Sequence, residues 1–107
     1  MIVKEITVQE LKKMMDHHED FQLIDCREPH EADIATLGGI LMPLNEIADH
    51  EEEIARNKKV IIHCRSGARS SNAVLYLQDM FEFDNLYNLK GGINAWSKEI
   101  DSKISLY

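Results

Sequence analysis

With 107 residues, 44% of them hydrophobic, the chain is long enough for one domain around one core, and its net charge of −7 argues against non-specific nucleic-acid binding. No apolar run reaches membrane-spanning length, and the segment from Met1 to Glu5 lacks the apolar stretch of a signal peptide. The expectation is a single cytoplasmic domain over 1–107, with no membrane and no nucleic-acid partner. Its two cysteines, Cys26 and Cys64, are too few for a disulfide scaffold and lack paired zinc-ligand spacing.

Thr7-Val8-Gln9-Glu10 has capping-box spacing ahead of Leu11, Met14 and Met15, which predicts a helix over about 8–18. Phe21 to Cys26 reads as a buried strand. Pro29 marks the start of a short helix ending near Ala35. Gly38-Gly39 is a turn, Ile40-Leu41-Met42 a short strand closed by Pro43, and Asn45 an N-cap for a helix running towards Arg56. Val60 to His63 is the clearest strand. Ala73, Val74, Leu77 and Met80 recur at helical spacing and predict a helix over about 70–80. Asn85 to Leu89 reads as a last strand, Gly91-Gly92 as its break, and 93–99 as a short helix carrying Trp96. The tail from Asp101 carries no pattern. Strands alternating with helices predict an α/β fold: a central parallel sheet, with helices on both faces and ligands at the carboxyl ends of the strands.

The chemistry concentrates just past the strongest strand, in Cys64-Arg65-Ser66-Gly67-Ala68-Arg69-Ser70. A thiol between a strand end and a helix start sits over backbone N–H groups and beside guanidiniums, and both favour the nucleophilic thiolate. Gly67 lets several N–H groups turn inward on one anion. Ser66 and Ser70 add hydroxyl donors. Arg65 and Arg69 suit bidentate binding of an oxyanion, unless one is taken by a carboxylate as a structural partner. The acidic runs lie elsewhere, in 28–33 and 49–53, so this basic loop suggests a small anionic ligand. His63 points to the opposite strand face from Cys64 and reads as structural. Asp25 and Arg27 read as an ion pair or loop brace. Cys26 reads as core, against the alternative of a resolving thiol for Cys64.

Three segments in this order resemble the rhodanese-like domain family: Leu23 to Glu31, His63 to Ser70, and Leu89 to Trp96. The resemblance implies a parallel five-stranded sheet flanked by helices, and sulfurtransferase chemistry without metal or cofactor. Cys64 would take a sulfane sulfur from a donor such as thiosulfate, become a persulfide, and pass the outer sulfur to a thiophilic acceptor. Arg65 and Arg69 would bind the donor's anionic end, and the amides from Arg65 to Ser70 would hold the sulfur anion. The segment from Ile34 to Leu44, together with Asn88 to Gly92, is similar to rhodanese domains fused behind adenylyltransferases of molybdopterin and thiamine biosynthesis. That variant implies a ubiquitin-like sulfur-carrier protein as one acceptor, a small thiol being the other. Cys26 and Ala32 depart from the family pattern, which commonly has an apolar residue and an aromatic there.

Two alternatives use the same residues. Phosphatases and arsenate reductases on this fold are similar in having His-Cys and then Arg after five residues. Here four residues separate Cys64 from Arg69, which makes a smaller cradle. A non-catalytic sulfur-carrier or interaction module is the other alternative, and a retained Cys64 with a complete loop argues against it.

Overall fold

The computed structural model describes residues 2–107. Met1, the first residue of the segment read above for a signal peptide, lies outside them. Five parallel strands form one sheet in the order β1-β5-β4-β2-β3, with β1 at Glu5–Ile6, β2 at Phe21–Asp25, β3 at Ile40–Leu41, β4 at Lys59–His63 and β5 at Leu86–Leu89. Four α-helices accompany them: α1 Val8–Asp16, α2 Pro29–Ile34, α3 Ala68–Phe81 and α4 Gly92–Glu99. Among the described residues no helix is long and apolar enough to cross a membrane.

Period-two alternation in β4 divides the core between the two sheet faces. Val60, Ile62 and Cys64 pack with Ile24, Cys26, Ile47, Val74 and Leu77 under α3. Ile61 packs on the other face with Leu11, Met14, Leu89 and Trp96, from α1, β5 and α4. Helices therefore cover both faces, and the central strands are buried along nearly all their length.

α1 opens with the full capping box: the Glu10 amide donates to Thr7 Oγ1, and the Thr7 amide donates to Glu10 Oε1. Three elements differ from the sequence reading. β1 went unread because it is two residues long, too short for any period to show. The segment after Pro43 is a 3-10 helix, Leu44–Glu53, not an α-helix capped by Asn45. Leu44, Ile47 and His50 turn their more buried sides inward three residues apart, which is the 3-10 repeat. Its start is pinned where the Leu44 amide donates to the Cys26 carbonyl at 3.1 Å. α3 begins two residues before the reading, at Ala68, and so draws the loop glycine into its cap.

The tail from Asp101 has no regular element but is anchored. Ile100 and Ile104 pack against the α1–α4 layer, and Ser97 Oγ donates to the Ile104 carbonyl at 2.5 Å. This path returns Tyr107 to the carboxyl edge of the sheet.

Candidate active site

Cys64 follows β4 directly, and Gly67, at φ +104°, turns the chain into α3. That left-handed conformation is accessible to glycine at little cost. The turn aims two amides at the thiol: Gly67 N–H donates to Cys64 Sγ at 3.1 Å and Ser70 N–H at 3.4 Å. The positive end of the α3 dipole adds to the same field. The Ser70 hydroxyl sits 3.3 Å from Sγ and 2.5 Å from Asn88 Oδ1; having one proton, it serves one of them at a time. Asn88 in turn donates from Nδ2 to the Gly67 carbonyl at 3.1 Å, so β5 braces the turn.

The loop carbonyls are held away from the thiol by α4. Ile93 N–H donates to the Cys64 carbonyl at 3.0 Å, and Asn94 N–H to the Arg65 carbonyl at 3.1 Å. Gly92 permits this contact. A Cβ there would lie 2.5 Å from the Arg65 oxygen and 2.6 Å from the Cys64 oxygen. With its carbonyls fixed on α4, the loop is left with inward-facing N–H groups.

The Cys64 thiol is driven down to about 4, first by a hydrogen bond with Cys26, then by the Ser70 hydroxyl and the Ser70 and Gly67 amides; burial works against them. The Cys26 thiol is pushed up, by its bond to Cys64 and by its own burial. The pair thus holds one thiolate and one thiol, with the charge on Cys64. The contact arises from strand register: Asp25 pairs with His63, and the next residues along β2 and β4 are Cys26 and Cys64.

On the opposite face of the same two strand ends, Arg27 is fully buried and grips Asp25 through Nε at 2.9 Å and Nη2 at 2.7 Å. It also donates to the Ala35 carbonyl and to the Tyr107 hydroxyl. His63 is buried too, its Nε2 4.0 Å from Asp25 Oδ2, and burial holds it below its ordinary value and neutral. It lies away from Sγ, as alternation requires.

The two loop arginines part company. Arg69 is bidentate to Glu31, 2.7 Å from Oε1 and 2.8 Å from Oε2, so its fork is already filled by a carboxylate. Glu31 is held well below the usual carboxylate range, first by Arg69 and then by the Tyr107 hydroxyl, which donates to Oε2 at 2.7 Å. Arg65 is exposed, with its guanidinium 4.7 Å from the Tyr107 ring centre. Ser66 and Ala68 are exposed beside it. A cleft of about 370 Å³ lined by Cys26, Glu28, Leu44, Asn45 and Arg69 opens next to the thiol pair. The structure brings Cys64, Gly67 and Ser70 together and adds Glu31, Asn88 and Tyr107, which sequence reasoning did not place in the site. Glu31 is two residues after Pro29, in the first turn of a helix that the sequence shows; Tyr107 sits in a patternless tail and gave no signal.

An activated thiolate, an amide cradle and an adjoining cleft can attack an electrophilic sulfur and hold the anionic product. The model of the rhodanese-like domain matches residues 7–99. A sulfurtransferase of Allochromatium vinosum is 36% identical over 91% of this chain and 91% of its own length. A probable adenylyltransferase/sulfurtransferase, MoeZ, of Mycobacterium tuberculosis is 29% identical over 95% of the chain, which spans 26% of that protein. Against some other curated relatives, too, the chain spans well under half of the length, 38% in one case. The crystal structure of a rhodanese-like domain protein from Staphylococcus aureus superposes with a TM-score of 0.82 at 27% identity, covering 98% of this chain and 99% of that one. By a family model and a relative that each match most of its length, the chain belongs to the rhodanese-like domain family.

Proposed function

We propose that the chain is a sulfurtransferase in which Cys64 carries sulfur as a persulfide, with residues 1–107 acting as one domain. Family membership and the relatives' names support sulfur transfer in general. The observation that carries the finer reading is the Cys64 thiolate, stabilised by the Gly67 and Ser70 amides at the head of α3.

The thiolate attacks the outer sulfur of thiosulfate or of a persulfide donor. A Cys64–sulfur bond forms, the donor's sulfur–sulfur bond breaks, and its electron pair leaves with sulfite or with the donor thiolate. The outer sulfur, now anionic, takes the place of the thiolate before the loop amides, where preorganised donors stabilise it without rearranging. A thiophilic acceptor then attacks that sulfur and returns Cys64 to thiolate. Arg65 is exposed and stacked on Tyr107, and so is the better placed guanidinium for the donor's anionic end. Arg69, tied to Glu31, contributes to the cleft wall. The acceptor is a small thiol or a ubiquitin-like carrier protein; the second follows from the similarity to the adenylyltransferase-linked domains. Two adjacent free thiols suit a reducing compartment, and the cytoplasm is the reading kept.

Thiocyanate formation from thiosulfate and excess cyanide tests this. Wild type is expected to turn over, and Cys64→Ala to fall to background with an unchanged melting temperature. Transfer retained in Cys64→Ala overturns the assignment.

A further inference from the structure

The residues from Arg65 to Ser70 build the cradle that holds the Cys64 sulfur. They leave Cys26 unexplained. Cys26 is a second free cysteine, in direct contact with the first, at a position where an apolar residue would fill the same space.

Its placement is determined by the sheet. Ile24 pairs with Ile62 and Asp25 with His63, and the Cys26 amide donates to the His63 carbonyl at 3.0 Å. Cys26 and Cys64 are therefore next-door residues on adjacent parallel strands. Ile24, Cys26, Ile62 and Cys64 share one core cluster, so the two thiols stand on the same face. Neighbouring strands run about 4.8 Å apart. That spacing lies within the Cα separation over which two cysteines bridge, about 4.4 to 6.8 Å. The cleft beside them has Cys26 in its lining, so a small species can leave and a reductant can approach.

We infer that Cys26 is a resolving thiol: when no acceptor arrives, it discharges the Cys64 persulfide as hydrogen sulfide and leaves a Cys26–Cys64 disulfide. This rests on the persulfide reading above. The Cys26 sulfur attacks Cys64 Sγ, forming the Sγ–Sγ bond. The bond from Cys64 Sγ to the outer sulfur breaks, its electron pair leaves with that anionic sulfur, and the sulfur takes the Cys26 proton and departs as hydrosulfide. The outer sulfur is reduced by two electrons and the two cysteine sulfurs are each oxidised by one, so no external oxidant is needed. A dithiol reductant returns the pair to one thiolate and one thiol.

The same contact sets the order of events. The adjoining Cys64 thiolate and burial push the Cys26 thiol up and keep it protonated. It is a poor nucleophile in that state, so an external acceptor at adequate concentration takes the sulfur first. Discharge is the slower, acceptor-independent branch.

The test is anaerobic incubation of reduced wild type, Cys26→Ser and Cys26→Ala with thiosulfate, followed by desalting with no acceptor added. Intact mass, non-reducing peptide mapping and released sulfide are then followed over time. Wild type is expected to release close to one sulfide per chain while a Cys26–Cys64 disulfide appears. Both variants are expected to keep one extra sulfur on Cys64 and to release at least tenfold less sulfide. Persulfide that persists equally in all three overturns the role of Cys26 and leaves the sulfurtransferase reading standing. Sulfur moved onto Cys26 without sulfide release also overturns it. Absence of added sulfur in all three overturns the persulfide reading and this inference together.

Discussion

At the scale of single residues, the thiol pair dominates. Cys64 is a thiolate at neutral pH because neighbours that favour its charge outweigh burial, and Cys26 is the largest of those neighbours. Alkylation by iodoacetamide follows the thiolate fraction. The wild-type rate on Cys64 is therefore expected to stay level as pH falls from neutral and to drop with a midpoint near 4. Cys26→Ala removes the leading stabiliser, and its midpoint is expected to rise by about one unit or more. A midpoint unmoved by that substitution would show the amides to be sufficient. Much of this site was legible because it is contiguous: Cys64, Gly67 and Ser70 lie within one turn, and their types state the chemistry. Cys26 was read as core because its partner lies 38 residues away, and only strand pairing brings the two together. The sequence leaves open which of Arg65 and Arg69 binds an oxyanion and which is taken by a carboxylate, for the same reason. Nothing local announces that Glu31, 38 positions earlier, fills the Arg69 fork.

Among elements, the decisive contact is between α4 and the loop after β4. Gly92 has φ +60°, and a side chain there meets two backbone oxygens closer than 3.0 Å. Those oxygens belong to the Cys64–Arg65 and Arg65–Ser66 peptides, which lead directly into the Ser66–Gly67 peptide whose N–H faces Sγ. Gly92→Ala is expected to cost about 1 to 3 kcal/mol in a denaturant melt. It is also expected to lower thiocyanate formation by at least tenfold, beyond any loss of folded protein. Wild-type turnover in a destabilised variant would separate α4 packing from the cradle. The alternation of strands and helices was visible in the sequence because buried strands and amphipathic helices carry different periods. The 3-10 helix was not. Over ten residues a repeat of three and a repeat of 3.6 place apolar side chains at overlapping positions, and Leu44 and Ile47 satisfy both.

For the molecule as a whole, the carboxyl edge of the sheet is tied across distant segments. Asp25 and Arg27 from β2 and the loop after it, Glu31 from α2, Arg69 from α3 and Tyr107 from the tail form one connected set. Glu31 is its acid-sensitive member. Its folded value is lowered from the ordinary 4.5, so its stabilisation is complete above that value and is lost as pH falls through the lower folded one. Glu31→Gln is expected to melt below wild type at about pH 6, with the gap closing as the pH is taken below about 4. A gap that stays constant into acid would mean that shape, not charge, makes the contribution. Composition alone placed the protein correctly as acidic with a basic loop. It could not show that the local excess is smaller than the residue count suggests, since Arg69 is neutralised and Arg65 is left as the exposed guanidinium.

The anion cradle is made of main chain, and this separates what the site does from whom it serves. Gly67 and Ser70 contribute N–H groups, and α4 fixes the Cys64 and Arg65 carbonyls that precede them, so the reactive sulfur reads backbone. The loop side chains at Arg65, Ser66 and Ala68 face outward and take no part in that cradle. They can be rewritten without disturbing the thiolate. A lineage could change its clientele at those three positions while inheriting the same sulfur chemistry intact.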